Sequence, residues 1–539
     1  MSPSTRTPVV TEDMLDQDPS ATSLPALLAH QAERFPEREF LRFGSDSYSF
    51  AQLNKLTSQI ASWLRAAGLA PGERVAIMLG NELAWPATWL AALKAAITVV
   101  PINAHYQASD LAYVLQDSGA RLIVTSPAHL ELVEPVAAAQ SAPVRVITAA
   151  ELLAEAAGLS TEAPTEAPAA VVTRATVANF QYTSGTTGFP KACVLTNDYW
   201  LRIGWLAAGL SELDASDIVL TAQPFSYMDP QWNTAMALTA GIPLVVLERF
   251  SASGFWPSVR EHGATVFYIL GTMPMLLLKQ PEQELDRMNS VRLVLCSGIP
   301  KAHHAQLEER WGAPWREAFG MTETGVDLMS PMSDIATVGT GALGRPVPGK
   351  QVDVRDAAGE SVGPGGIGEL VVFGKPMMEG YWNKPEATTA TIVDGWAHTG
   401  DLVRRDDDGR LFLVGRLKEM IRRGGENISS AEVEAVMSGN PLVVSCAAVG
   451  EPDELWGEEV KLFVKLAADV PATRATAEAL HEYARSHLAR FKTPSLYSFV
   501  DDFPMTPSLR IAKPVLVAEA AAHSVPVFEM NTRNATPNH

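Results

Sequence analysis

Positive charge is scarce in this chain. Across 539 residues, 42 Lys and Arg stand against 61 Asp and Glu, a formal net charge of −19. Affinity for a nucleic-acid backbone comes from clustered cations, so an acidic balance of this size excludes that class of partner. Cysteine is nearly missing too. Cys193, Cys296 and Cys446 lie far apart and form no CxxC pair. This excludes a disulfide scaffold and a thiolate zinc site, and it fits a reducing compartment. Met1–Val10 carries no apolar leader. Long hydrophobic runs are also lacking. The most apolar stretch, Leu83–Val100, contains Pro86 and Lys94 and reads as a helix entering a buried strand, not a membrane span. No fixed-period internal repeat is visible. A cytoplasmic globular protein with no membrane span is expected, and 47% hydrophobic residues supply a large core.

What is present alternates. Ser23 can cap a helix with the apolar stripe Leu24, Leu27, Leu28, Ala32 and Phe35. Apolar runs follow at Val75–Leu79, Val99–Ile102, Leu122–Val124 and Val144–Ile147. Helical patterns separate them at Glu82–Ala96, Ser109–Gln116 and Ala128–Val136. This order predicts an α/β fold with parallel sheets flanked by helices. A second series runs from Ile218 to about Leu307, with strands at Leu244–Leu247, Val266–Leu270 and Arg292–Cys296. Gly158–Ala170 is small, Pro-rich and unpatterned, a surface loop or linker. From Val352 to Leu413 short β-like runs separated by Gly and Asp predict a β-rich subdomain. After Gly415 a compact α+β pattern begins, with helices at Ala431–Met437 and Arg474–Leu488 and strands at Val443–Val449 and Val460–Leu466. Val525–His539 reads as a frayed tail.

The first chemical signal is Tyr182-Thr183-Ser184-Gly185-Thr186-Thr187-Gly188-Phe189-Pro190-Lys191. Apolar residues on both sides make it a turn between two strands. Glycines free backbone N–H groups to face inward, hydroxyls add donors and Lys191 adds charge, the composition of a nest for phosphate oxygens. It is not the Walker pattern, which needs GxxxxGK[ST] leading into a helix. A Ser/Thr/Gly-rich hairpin turn is the bland alternative.

TSGTTGFPK is very similar to the phosphate-loop signature of the adenylate-forming superfamily, which holds acyl-CoA ligases, nonribosomal adenylation domains and beetle luciferases. Further segments resemble its other motifs in the right order: Cys296-Ser297-Gly298-Ile299-Pro300, Phe319-Gly320-Met321-Thr322-Glu323, the Asp394–Asp401 stretch ending Thr399-Gly400-Asp401, Gly415-Arg416-Leu417-Lys418, and Gly424-Gly425-Glu426-Asn427-Ile428. The resemblance spans about Ser23 to Leu516.

It implies an acyl-CoA ligase working through acyl-AMP, with ATP, Mg2+ and coenzyme A. It also implies an N-terminal extension 1–22, a large domain 23–416, a small mobile α+β domain 417–520 and a tail 521–539. The site residues follow by position. Thr183, Ser184, Gly185, Thr186, Thr187, Gly188 and Lys191 hold β- and γ-phosphates. Gly298, Ile299 and Pro300 form the adenine wall, Phe319 stacks on adenine, and Gly320 and Met321 also belong to the nucleotide site. Thr322 offers a hydroxyl to the α-phosphate and Glu323 is a hard oxygen ligand suited to Mg2+. Asp401 and Arg416 contact the ribose, Lys418 is the hinge about which the small domain turns, and Gly424, Gly425 and Glu426 face coenzyme A. Tyr227, Met228, Asp229, Trp232, Gly320 and Val326 are expected to line an apolar, aromatic-walled acyl pocket.

The chain departs from the family pattern near its end. The family's catalytic lysine position holds Arg510, and its neighbouring glycine is Leu509. Charge is kept, but a forked guanidinium does not replace a compact ammonium in a tight slot. Weakened adenylation is therefore expected, with acyl-AMP supplied by a separate adenylating enzyme. Phe319 replaces the usual Tyr and Tyr227 a His common in CoA ligases. The rival readings are a stand-alone adenylation enzyme that loads a separate carrier protein, and a catalytically dead homologue that binds acyl-adenylate.

Overall fold

The computed structural model describes residues 22–161, 172–183, 190–424, 426–505 and 511–530. Two compact units emerge: Met1–Val352 with Val372–His398, and Asp353–Val371 with Thr399–His539. The chain thus leaves and re-enters the first unit.

The first unit is built on two sheets. The six-stranded one runs in the order Arg145–Thr148, Leu122–Thr125, Arg74–Met78, Thr98–Pro101, Val177–Thr183, Lys191–Thr196. It is parallel except for its last pair, which is antiparallel and brings Thr183 opposite Lys191. The two strands expected on either side of the turn are therefore present and paired, while Ser184–Phe189 lie outside the described residues. The nine-stranded sheet contains Leu244–Val246, Val219–Thr221, Val266–Leu270, Leu293–Ser297 and Trp315–Met321 in that spatial order, all parallel. Gly325–Met329 then returns antiparallel. Strands buried on both faces read as continuous apolar runs, which is why these segments were visible in the sequence.

Helices follow from local signals. Ser23 accepts from Ala26 N–H and caps Leu24–Arg34 as expected. Ser49 and Gln52 form a reciprocal capping box for Phe50–Ala66. Trp85, Trp89 and Trp200 are fully buried. The indole N–H groups of Trp89 and Trp200 both donate to Asn179 Oδ1, at 2.9 and 3.1 Å. Asn179 in turn donates to Gln231 Oε1 at 2.8 Å. Gln231 donates to Gln181 Oε1 and to the carbonyls of Phe225 and Tyr227. A closed polar network of this kind fixes geometry because an unmade bond inside it is costly. Here it ties strand Val177–Thr183 to the N-terminus of helix Met228–Ala240.

The second unit has a six-stranded sheet ordered Glu426–Ser429, Met420–Arg423, Gly457–Leu466, Leu496–Phe499, Phe528–Glu529, with Val443–Asp453 also on Gly457–Leu466. Residues 525–530 do not fray as expected: Tyr497 pairs with Phe528, and Met530 is buried. The apolar face of this sheet supplies the tether that composition alone did not reveal.

Candidate active site

The five parallel strands named for the large sheet end on the same side. Leu293–Ser297 runs into Gly298, whose φ of +85° suits glycine. Trp315–Met321 runs into Thr322 and Glu323. Ligands of open α/β sheets sit outside these carboxyl ends. Glu317 secures the Gly298–Pro300 segment: its carboxylate accepts from Gly298 N–H at 2.6 Å and Ile299 N–H at 2.9 Å. Burial pushes its carboxyl up to about 7, against the pull of those two amides. Ser297 accepts from Tyr268 OH at 2.8 Å and donates to Ala318 O, which joins three neighbouring strands below the turn.

A cavity opens beside these strand ends. Met228, Asp229, Trp232, Gly320 and Val326 line it, five of the six residues expected to form the acyl pocket. The sixth, Tyr227, is not among the lining residues; its hydroxyl takes a hydrogen bond from Asn103 Nδ2 at 2.7 Å. Burial raises the Tyr227 phenol above its ordinary range. The wall is mostly apolar, with Ile203, Leu295, Phe319 and Met329 beside the Trp232–Tyr268 pair, an edge-on contact at 5.0 Å. Gly320 is required by the hairpin that follows: a Cβ there would run into Gly325 O.

Thr322 and Glu323 stand at the lip of this cavity's strand. Tyr199 OH donates to Thr322 O at 2.8 Å, and Thr322 Oγ1 lies 3.5 Å from Met228 Sδ. Glu323 is 8% exposed, and one carboxylate oxygen accepts from Tyr381 OH at 2.7 Å. Its second oxygen is a hard donor, so the residue fits a Mg2+ ligand. Lys191 Nζ sits 4.1 Å from the centroid of the same Tyr381 ring. Just beyond, Lys350 and Asp327 form a sealed ion pair at 3.2 Å, both side chains 0% exposed.

In the second unit, Thr399 Oγ1 donates to Leu370 O, and Gly400 N–H to Glu369 Oε1. These bonds build the turn that presents Asp401, whose carboxylate accepts from Arg416 Nε at 3.0 Å. The two residues expected at the ribose are thus brought together. Lys418 lies in a single 3-10 turn, Leu417–Glu419, between two strands. Gly424 has a φ of +59° and Glu426 begins the next strand. Ser184, Gly185, Thr186, Thr187, Gly188, Gly425 and Arg510 lie outside the described residues.

Sequence reasoning missed Glu317, Tyr381, Tyr199 and the Asp327–Lys350 pair. A charged residue inside the apolar strand Gly325–Met329 was the one usable signal, since such a charge needs a buried partner.

The family model for AMP-binding enzymes matches residues 28–382, and that for the AMP-binding enzyme C-terminal domain matches 432–510. The chain is 34% identical over 493 residues to a feruloyl-CoA synthase of an Amycolatopsis species, covering 90% of this chain and 96% of that one. It is 31% identical to the fatty acid–acyl-carrier-protein ligase ScoC of Streptomyces coeruleorubidus, covering 92% and 96%. The o-succinylbenzoate CoA synthetase of Bacillus subtilis, solved with its acyl-adenylate OSB-AMP, superposes with a TM-score of 0.80 at 26% identity, covering 91% and 97%. Among the described residues, no helix is long and apolar enough to cross a membrane.

Proposed function

The chain is an acid–thiol ligase of the AMP-binding enzyme family, and from that premise we propose that it makes acyl-CoA from a largely apolar, aromatic-type acid through acyl-AMP. The observation that carries the reading is the cavity walled by Trp232, Tyr268 and Met228 beside strand Trp315–Met321, which leads into Thr322 and Glu323. In the first step the acid's carboxylate attacks the α-phosphorus of ATP and pyrophosphate leaves. In the second, the thiolate of coenzyme A attacks the acyl carbonyl and AMP leaves.

Two anions meet in the first step, so preorganised donors must hold the developing charge. Thr183 and Lys191, with the loop between them, serve the β- and γ-phosphates. Thr322 gives its hydroxyl to the α-phosphate, and Gly298–Pro300 with Phe319–Met321 flank the adenine. Glu323 holds Mg2+, which when bound neutralises polyphosphate charge. Asp401, oriented by Arg416, accepts from the ribose hydroxyls. Gly424–Glu426 receive the pantetheine arm, and Lys418 is the hinge between the two steps.

Arg510 in place of lysine weakens the first step, so the protein chiefly thioesterifies acyl-AMP made by a separate adenylating enzyme. A mispositioned cation at the developing charge costs roughly 10²–10³ in rate. The test pairs pyrophosphate release from ATP and a panel of acids with thioester formation from synthetic acyl-AMPs. Arg510→Lys, alone or with Leu509→Gly, should restore pyrophosphate release. Release already matching overall turnover overturns the split. Running the second step with coenzyme A and with a phosphopantetheinyl carrier protein decides the acceptor; no thioester with either overturns the enzymatic reading.

A further inference from the structure

Residues 378–382 run alongside strand Lys191–Thr196 and join it through an isolated antiparallel bridge, Tyr381 opposite Cys193. Glu379 N–H donates to Val194 O at 3.0 Å, Val194 N–H to Gly380 O at 2.9 Å, and Trp382 N–H to Ala192 O at 2.9 Å. Met378 N–H donates to Glu323 O at 2.8 Å. The segment is therefore stitched to the strand carrying Lys191 and to the backbone of Glu323. Tyr381 N–H is itself fixed on Thr388 Oγ1 at 2.9 Å.

The Tyr381 side chain repeats this bridge. Its hydroxyl donates to Glu323 Oε1 at 2.7 Å, and the Lys191 ammonium lies over its ring at 4.1 Å. Tyr381 is 7% exposed, so both contacts are made nearly free of water. Core packing alone asks for the ring and not for the hydroxyl. A hydroxyl on one carboxylate oxygen fixes the rotamer and leaves the other oxygen in a set place, as outer partners of metal-binding carboxylates do. The ring face attracts an ammonium without accepting any one of its N–H groups into a conventional bond, so Lys191 keeps donors for phosphate oxygens.

We propose that Tyr381 is a positioning residue that holds Glu323 and Lys191 in register, so that one side chain sets both the metal-binding oxygen and the polyphosphate cation. This rests on Glu323 being the Mg2+ ligand. Tyr381→Phe keeps the ring and removes the hydroxyl; Tyr381→Leu removes both.

The measurement is calorimetric ATP binding by the full chain, at graded Mg2+ and in chelator, with thermal midpoints confirming the fold. Tyr381→Phe should raise the Mg2+ concentration for half-maximal enhancement roughly 10–100-fold and leave chelator-condition ATP affinity unchanged. Tyr381→Leu should lower that metal-free affinity as well. Lys191→Met provides an independent arm: on that background Tyr381→Leu should cost no further metal-free affinity, a non-additivity that a merely structural role does not produce. Glu323→Gln separates the two layers. If it leaves Mg2+ dependence unchanged, Glu323 is not the ligand and the reading beneath the proposal fails. If it shifts that dependence while Tyr381→Phe does not, or if the Lys191 and Tyr381 losses simply add, the positioning role is overturned.

Discussion

Lys350→Met removes an ammonium while keeping most of the side chain's length. In the wild type, Nζ lies 3.2 Å from Asp327 Oδ1 with neither side chain exposed. The ammonium gives its protons to three carbonyls: Thr324 at 2.8 Å, Gly374 at 3.2 Å, and Pro376. Thr324 Oγ1 donates to Asp327 Oδ2 at 2.5 Å. Burial works against both charges, raising the Asp327 carboxyl and lowering the Lys350 amine, while their mutual attraction opposes it. Removing one member of a buried pair costs about 3–5 kcal/mol, because the other is left as an uncompensated charge. The three carbonyls also lose their donor, and each such group left unmet costs roughly 1–3 kcal/mol before relaxation. A loss of about 3–5 kcal/mol is therefore the conservative expectation. The double variant Asp327→Leu with Lys350→Met removes both charges but still strands the carbonyls. It should fall short of the sum of the singles by about 0.5–3 kcal/mol. Urea unfolding followed by tryptophan fluorescence reads the relevant unit, since every tryptophan except Trp456 lies in it. A single-variant loss below about 1 kcal/mol, or strict additivity in the double, refutes the reasoning.

Two further outcomes are expected. Lys94, hydrogen-bonded to Asn54 O, Asn54 Oδ1 and Ser58 Oγ, is pushed down to about 7 by burial. The unfolded chain keeps that proton up to the ordinary value of 10.5, so between about 7 and 10.5 it binds more protons and raising the pH favours the fold. Lys94→Met should flatten this slope in unfolding titrations, and an unaltered slope counts against it. Asp401→Ala should weaken binding of ATP or acyl-AMP by roughly 1.5–3 kcal/mol per ribose hydroxyl that loses a charged acceptor; unchanged affinity in calorimetry rejects the ribose assignment.

Buried parallel strands were the most legible part of the fold. Val266–Leu270 was read to the residue because a strand covered on both faces is a plain apolar run bounded by turn residues. Helix Met228–Ala240 was not read as a helix. Its polar residues Gln231, Asn233 and Thr234 are buried, so it has no solvated polar face to set a 3.6-residue rhythm. The wall of the cavity was legible through motif position, whereas its supports were not. Tyr381 and Glu323 are 58 residues apart, and nothing local to either announces the other. Tyr227 followed the same logic in reverse: its place beside the pocket residues in sequence did not put its hydroxyl there, because Asn103 claims it.

The scarcity of cysteine has a consequence for self-damage. An acyl-adenylate is a mixed anhydride, and any thiolate within reach competes for its carbonyl. All three cysteine thiols are buried, with Cys193 and Cys296 0% and Cys446 6% exposed. Burial raises each thiol, Cys446 to about 12, and the nearby Glu323 charge raises Cys193 further. A protonated thiol is a poor nucleophile. Cys193 sits two residues from Lys191 on the same strand, where a stray thiolate would be most harmful, and there the sulfur is kept inert. On the function proposed above, an activated acyl group waiting for coenzyme A would meet no exposed thiol of the protein itself.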